Sequence, residues 1–279
     1  MNILKTCLFF LLLFFHYAYS EADNTQVKNV SIKTEKDRKV LHLKKPAAKI
    51  PKVKLLITLA SEASSIEDVQ DSWFSSITEA YFDFQLRNFE SFEIISRNEL
   101  SEQFKQGDEF GVSVPESDIY NAAKKANASH VLIHFYNIDR KSSMKINYYL
   151  EIIDMKNQSS VMNFDKSFLP GNLEKYLRNC AKQILNKFQI TLSDLDKESL
   201  KQQVLSSEPV TNKIFGDALI ELKKQDRLKT AQKMIKIVQN DPGFGLAVYK
   251  TAEVFEALKN HALVSSLYNQ LFFRNGFYY

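Results

Sequence analysis

Cysteine is almost absent. The 279-residue chain has two, Cys7 and Cys180, and Cys7 lies ahead of a short apolar run near the N-terminus. No disulfide framework, CxxC redox pair or cysteine-rich zinc site can be built from them. Glycine and proline are scarce as well, at seven and six residues. Such scarcity excludes a linker-rich or low-complexity protein and leaves no glycine-rich loop to cradle a phosphate. The nearest pair, Gly243 and Gly245 in "DPGFG", follows no strand. HExxH and GxSxG are missing. His130 and His134 stand four apart in a strand-like run, roughly 13 Å along it, too far to share one metal ion. No carboxylates pair in an apolar context as acid–base chemistry requires. No catalytic residue, cofactor site or metal site is expected, and the chain reads as non-enzymatic.

Long hydrophobic runs are lacking outside "MNILKTCLFFLLLFFHYAYS" (1–20). There Lys5 precedes an apolar stretch from Leu8 to Phe15, and Ala18 and Ser20 are the small residues a signal peptidase reads. The stretch is short for a bilayer span. A signal peptide over 1–20, and hence export, is expected. With it removed Cys180 stands alone in a helical pattern, where a buried thiol packs as a small hydrophobe. The fold must then rest on an apolar core, which 44% hydrophobic residues and 21 phenylalanines can supply. The net charge of +4 is mild and implies no nucleic-acid partner. Residues 21–51 carry Lys28, Lys33, Lys36, Arg38, Lys39, Lys44, Lys45 and Lys49. They read as a basic disordered linker, with peripheral contact to an anionic lipid or glycan surface as a second use.

What is present begins at Val53. "VKLLITL" (53–59) is a β-branched apolar run that predicts a buried strand. In 64–87, Ile66, Val69, Trp73, Ile77, Tyr81 and Phe84 step by three and four and predict a helix with one apolar stripe. Ser65 and Asp68 form its start box. A strand at about 91–96 and a short helix follow in "FEIISRNELSEQFKQ" (92–106). Ser96 caps that helix, Glu99 completes a capping box, and Arg97 is assigned to a structural ion pair or carbonyl contacts at the corner. Next come a helix over 114–128 and strands over 129–139, 143–154 and 159–168. In the second of these strands Met144, Ile146, Tyr148, Leu150 and Ile152 share one face, with Lys145, Asn147, Tyr149 and Glu151 on a wetter one. A helix over 171–188 closes the domain, which spans 52–190. The fold class is α+β, a mixed sheet with packed helices in the order β-α-β-α-α-β-β-β-α.

After a connector (191–209) the pattern is purely helical over 210–279. Four helices are predicted, at 210–226, 227–239, 245–260 and 261–273. A shift of 34 residues superposes Phe215 on Tyr249, Ala218 on Ala252 and Ile220 on Val254. That is the period of tetratricopeptide repeats, and Pro242 falls where such repeats carry a helix-breaking proline. Glu256 and Asn269 stand where the second repeat would want apolar residues.

Three segments carry a resemblance to a family. "FEIISRNEL" matches a strand–arginine–helix signature. "AAKKANASHVLIHFYNI" (122–138) matches a helix that ends in a small-residue turn and enters a strand. "MKINYYLEIIDMKNQSSV" (144–161) matches a strand, aspartate, turn and strand. Together they resemble the bacterial envelope domains of the CsgG and TolB amino-terminal type, over about half the chain. Where that family has Gly-Ala this chain has Ala126-Asn127-Ala128, and where it has Thr-Gly this chain has Asn157-Gln158. The resemblance implies an anticodon-binding-like fold, a periplasmic or outer-membrane-associated location, and protein partners in envelope assembly or transport, without catalytic residues. The alternative it raises is a subunit of an outer-membrane secretion channel like the curli exporter. Such a channel needs further hairpins of about ten alternating residues, and no spare pair follows the meander. No feature fixes an oligomeric state.

Overall fold

β1 (Val53–Ile57) is apolar on both sides because both are covered: Leu55 and Ile57 face one core and Leu56 another. The computed structural model describes residues 52–58, 61–62, 72–95, 116–139, 144–223 and 227–275, within one unit, Ile50–Tyr279. β1 is flanked by two parallel neighbours, β3 (Phe92–Ile95) and β4 (His130–Asp139). The two-residue β2 (Ser61–Glu62) adds to β4 at Phe135 and Tyr136. β4 then runs antiparallel to β5 (Lys145–Asp154), and β5 to β6 (Ser159–Phe168). The main order is β3-β1-β4-β5-β6, a mixed sheet as expected.

Among the described residues two helices lie between the parallel strands and cover opposite faces. α1 (Ser72–Arg87) packs on the Leu55 side and α2 (Glu116–Lys125) on the Leu56 side through Ile119, Ala122 and Ala123. α2 ends at Asn127, whose φ of 53° allows Ala128 N–H to donate to Ala123 O and Asn127 N–H to Lys124 O. Asn tolerates this left-handed C-cap, which explains how the chain does without the glycine of the resemblance. The β5–β6 turn is built similarly. Asp154 Oδ1 accepts from the N–H groups of Lys156 (2.7 Å) and Asn157 (3.2 Å), and Gln158 takes φ 50°. Those two N–H groups hold the Asp154 carboxyl below its ordinary pKa.

Three differences from the sequence reading have physical causes. The alternation puts Met144 on the buried face of β5, but it precedes the strand, has φ 53°, and is exposed, while Ile146, Tyr148, Leu150 and Ile152 are buried. The spacing predicts one apolar stripe for α1, yet Phe74, Ser75, Thr78, Phe82, Gln85 and Leu86 are buried along with Trp73, Ile77, Tyr81 and Phe84. The sheet takes one side of it, and the C-terminal helices take another. Third, the connector is packed. It contains α4 (Asp194–Ser199), capped by Ser193 and Asp196 in a capping box, and it buries Leu200, Val204 and Leu205. The start box at Ser65 and Asp68 and the stretch 1–51 lie outside the described residues.

α3 (Leu173–Lys187), entered through a 3-10 turn at Pro170–Asn172, lies beside α1 with Leu177, Cys180, Ala181 and Ile184 inward. Beyond the connector come α5 (Pro209–Lys223), α6 (Arg227–Asn240), α7 (Gly245–Ala257) and α8 (His261–Asn275). These are the four predicted helices, each packed on the next. α5 also lies against α1, and one apolar cluster runs from Leu55 in the sheet to Leu271 in α8.

Candidate functional site

Ser129, His130 and Asp154 stand together at one end of the sheet and have the residue types of a hydrolase triad. Their contacts tie them into the backbone at that end of the sheet. Ser129 Oγ donates to Lys54 O (3.1 Å) and accepts from Lys54 N–H (2.9 Å). His130 Nδ1 lies 3.0 Å from the same hydroxyl, and the direction of that contact follows the ring's tautomer. Phe188 meets the ring edge-on at 4.9 Å, and burial lowers the His130 pKa, with Asp154 opposing. Through Lys54, Ser129 stitches β1 to the start of β4.

The second cluster is buried. His134 is fully enclosed, with Nε2 2.5 Å from Thr58 O and Nδ1 3.0 Å from Tyr148 Oη. A carbonyl accepts only, so Nε2 carries the proton and Nδ1 accepts from the phenol. Burial lowers the pKa to about 4. Phe82 and Tyr148 pack edge-on to the ring, leaving no open side for a substrate. Cys180 is equally enclosed, and burial pushes its thiol well up. Among the described residues no group of His, Cys, Asp and Glu could hold a metal ion.

Two ion clusters tie the halves of the molecule together. Glu174 pairs with Arg178 on α3 and accepts from the buried Val204 N–H at 2.9 Å, while Arg178 also donates to Gln202 O at 3.1 Å. Glu174→Ala leaves both the guanidinium and Val204 N–H short of an acceptor. We expect a loss of about 1–3 kcal/mol, read as a lowered midpoint in urea denaturation. On the far side Lys250 of α7 meets Glu253 (2.8 Å) and Asp83 of α1 (3.4 Å). Burial opposes its charge, but the two carboxylates outweigh burial and raise its pKa. A groove of about 410 Å³ between α3 and α4 is lined by Lys182, Asn186, Leu192, Lys197 and Lys201. Lys197 and Lys201 are paired there with Asp194 and Glu198.

The residues singled out from sequence fall in three places. Ser96, Arg97 and Glu99 lie outside the described residues. Phe215, Ala218 and Ala252 are fully buried in the helical hairpins, with Phe215 against Phe244 at 4.8 Å. Tyr249 is half-buried and its ring faces Phe84 of α1 at 5.1 Å. Pro242 is exposed in the α6–α7 turn, where its carbonyl accepts from Gln270 Nε2. Sequence reasoning passed over the exposed apolar pair on α5, Val210 (69%) and Ile214 (48%). Their spacing of four, one turn apart on one face, was the available signal.

No protein-family model matches this chain, and no curated protein matches it. Similar solved structures include the LpoB C-terminal domain from Salmonella enterica, 13% identical with TM-score 0.31, over 43% of this chain and 84% of that one. A lipoprotein from Neisseria meningitidis is 13% identical with TM-score 0.34, over 50% and 99%. A PelC dodecamer from Paraburkholderia phytofirmans is 13% identical with TM-score 0.26, over 42% and 71%.

Proposed function

We propose that this chain is an exported, non-enzymatic scaffold of the bacterial cell envelope that holds protein partners in assembly or transport, from the periplasm or the outer membrane. The supporting observation is the exposed Val210–Ile214 pair on α5, a helix whose opposite side is locked to α1. An apolar pair on a rigid helix is a surface suited to a partner segment, and helical hairpins of tetratricopeptide type use such surfaces. The signal-like N-terminus and the envelope-domain resemblance agree with export.

Crosslinking of the tagged chain on intact cells tests this. One discrete envelope protein is expected, and its yield should fall by about tenfold or more with Val210→Asp plus Ile214→Asp. Folding stability should change by no more than about 0.5 kcal/mol, because both sites are exposed. No discrete partner, or equal yield from the double variant, would overturn the proposal.

A further inference from the structure

The sheet has a second exposed surface, and its chemistry is specific. α2 covers the lower part of one face through Leu56, Ile95, Val131, Ile133 and Ile153. Above that, register sets three rows of side chains side by side. Phe135 pairs with Tyr149 and Tyr149 with Asp165; Asn137 pairs with Asn147 and Asn147 with Ser167; Glu151 pairs with Asn163. Phe135 is 38% exposed. Its ring centre lies 6.2 Å from that of Tyr149, with 33° between the planes, so the two rings form a shallow shelf. Tyr149 Oη donates to Glu151 Oε2 at 3.2 Å, and Ser167 Oγ to Asn147 Oδ1 at 2.5 Å, which fixes the groups on either side of the shelf.

Charge selects the ligand class. Among the described residues the face carries Asp139, Glu151 and Asp165 against one cation, Lys145, on a chain whose net charge is +4. A polyanion is repelled there, so the stacking shelf is not built for nucleotides, whose backbone needs lysine and arginine. The remaining groups are amides, a hydroxyl and carboxylates, which donate to and accept from hydroxyls. Aromatic faces beside such groups suit a ring with apolar C–H faces and a polar rim. We propose that the Phe135–Tyr149 shelf binds a neutral pyranose glycan, laid across the β4–β5–β6 face with its hydroxyls toward Asn147, Glu151, Asn163 and Asp165. This site is separate from α5 and does not depend on the partner proposed above.

The test is calorimetric and NMR titration of the purified full chain with chitohexaose and, separately, cellohexaose. Saturable binding of either supports the site. Binding of chitohexaose alone shows that the acetamido group is read as well; binding of both shows that the ring face and hydroxyls suffice. Phe135→Ala and Tyr149→Ala should each weaken binding by about tenfold, the equivalent of one lost ring contact. Tyr149→Phe keeps the ring and should keep most of the affinity, and Phe272→Ala, an exposed aromatic on α8 (44%), should change nothing. Thermal melts confirm that the variants are folded. The idea is overturned if neither glycan binds, if the two alanine variants bind as well as the parent, or if single-stranded oligothymidylate binds the shelf instead.

Discussion

Gly216→Ala is expected to destabilise the protein by about 2 kcal/mol or more, against what helix propensity alone would give. Gly216 lies inside α5, where replacing glycine by alanine ordinarily gains up to about 1 kcal/mol. Packing decides the sign. A Cβ built on Gly216 stands 2.4 Å from Trp73 O and 2.9 Å from Trp73 C and Cβ. The obstacle is mostly the backbone of α1, which cannot turn aside as a side-chain tip would. α1 in turn is held by the sheet through Phe74, which meets Tyr136 at 4.8 Å and Tyr148 at 5.8 Å. Overpacking costs about 1–3 kcal/mol and occasionally more, and a backbone contact this short belongs at or above the upper end. The helices must part, and the α1–α5 contact that joins the hairpins to the sheet loosens. Equilibrium denaturation of Gly216→Ala measures this, with Gly216→Val expected to be worse. An alanine variant as stable as the parent would show that α5 can slide off Trp73, and that the helical region is not anchored there.

That contact also marks where sequence reading stops. The buried strand at Val53, the alternation in β5 and the four C-terminal helices are written in local periodicity, which a chain shows without its partners. The burial of α1 on several sides is not. Ser75, Thr78 and Gln85 look like a wet face in a stripe diagram, yet they are buried on the side of α1 that carries Phe74 and Phe82, whose rings meet Tyr136, Tyr148 and His134 of the sheet. The connector misled for a related reason. "SDLD" at 193–196 is a capping box and was readable, but Val204 and Leu205 are too few to show a period. Part of the glycan shelf was legible too. Alternation put Asn147, Tyr149 and Glu151 on the wetter face of β5, while Phe135 and Asp165 join them only through strand register, which a single strand does not encode.

His134 should make the protein acid-labile well above the carboxylate range. Its imidazole is enclosed and neutral, donating from Nε2 to Thr58 O and accepting at Nδ1 from Tyr148. Protonation at Nδ1 would set two donors face to face, unless the phenol turned away from the ring, and would place a charge in an apolar core. The pKa falls to about 4 in the folded chain, against about 6.5 when the chain unfolds. Between those values the unfolded state binds the extra proton, so stability rises with pH. The contribution is complete above about pH 6.5 and is lost as the pH drops toward 4. Two and a half units correspond to about 3 kcal/mol, a large share of a domain's stability. Urea denaturation at pH 7, 5.5 and 4.5 measures it by comparing the parent with His134→Gln, which cannot titrate. The variant is expected to be weaker at pH 7, and the gap should narrow steadily toward pH 4.5. Tyr148→Phe separates the hydrogen bond from the charge. It leaves Nδ1 without its donor at a cost of about 1–3 kcal/mol at pH 7. It also removes the phenol proton that opposes protonation, so its acid limb should be shallower than the parent's. Parallel pH profiles for the parent and His134→Gln would mean that the imidazole titrates near its ordinary value, and that water reaches the Thr58–Tyr148 pocket.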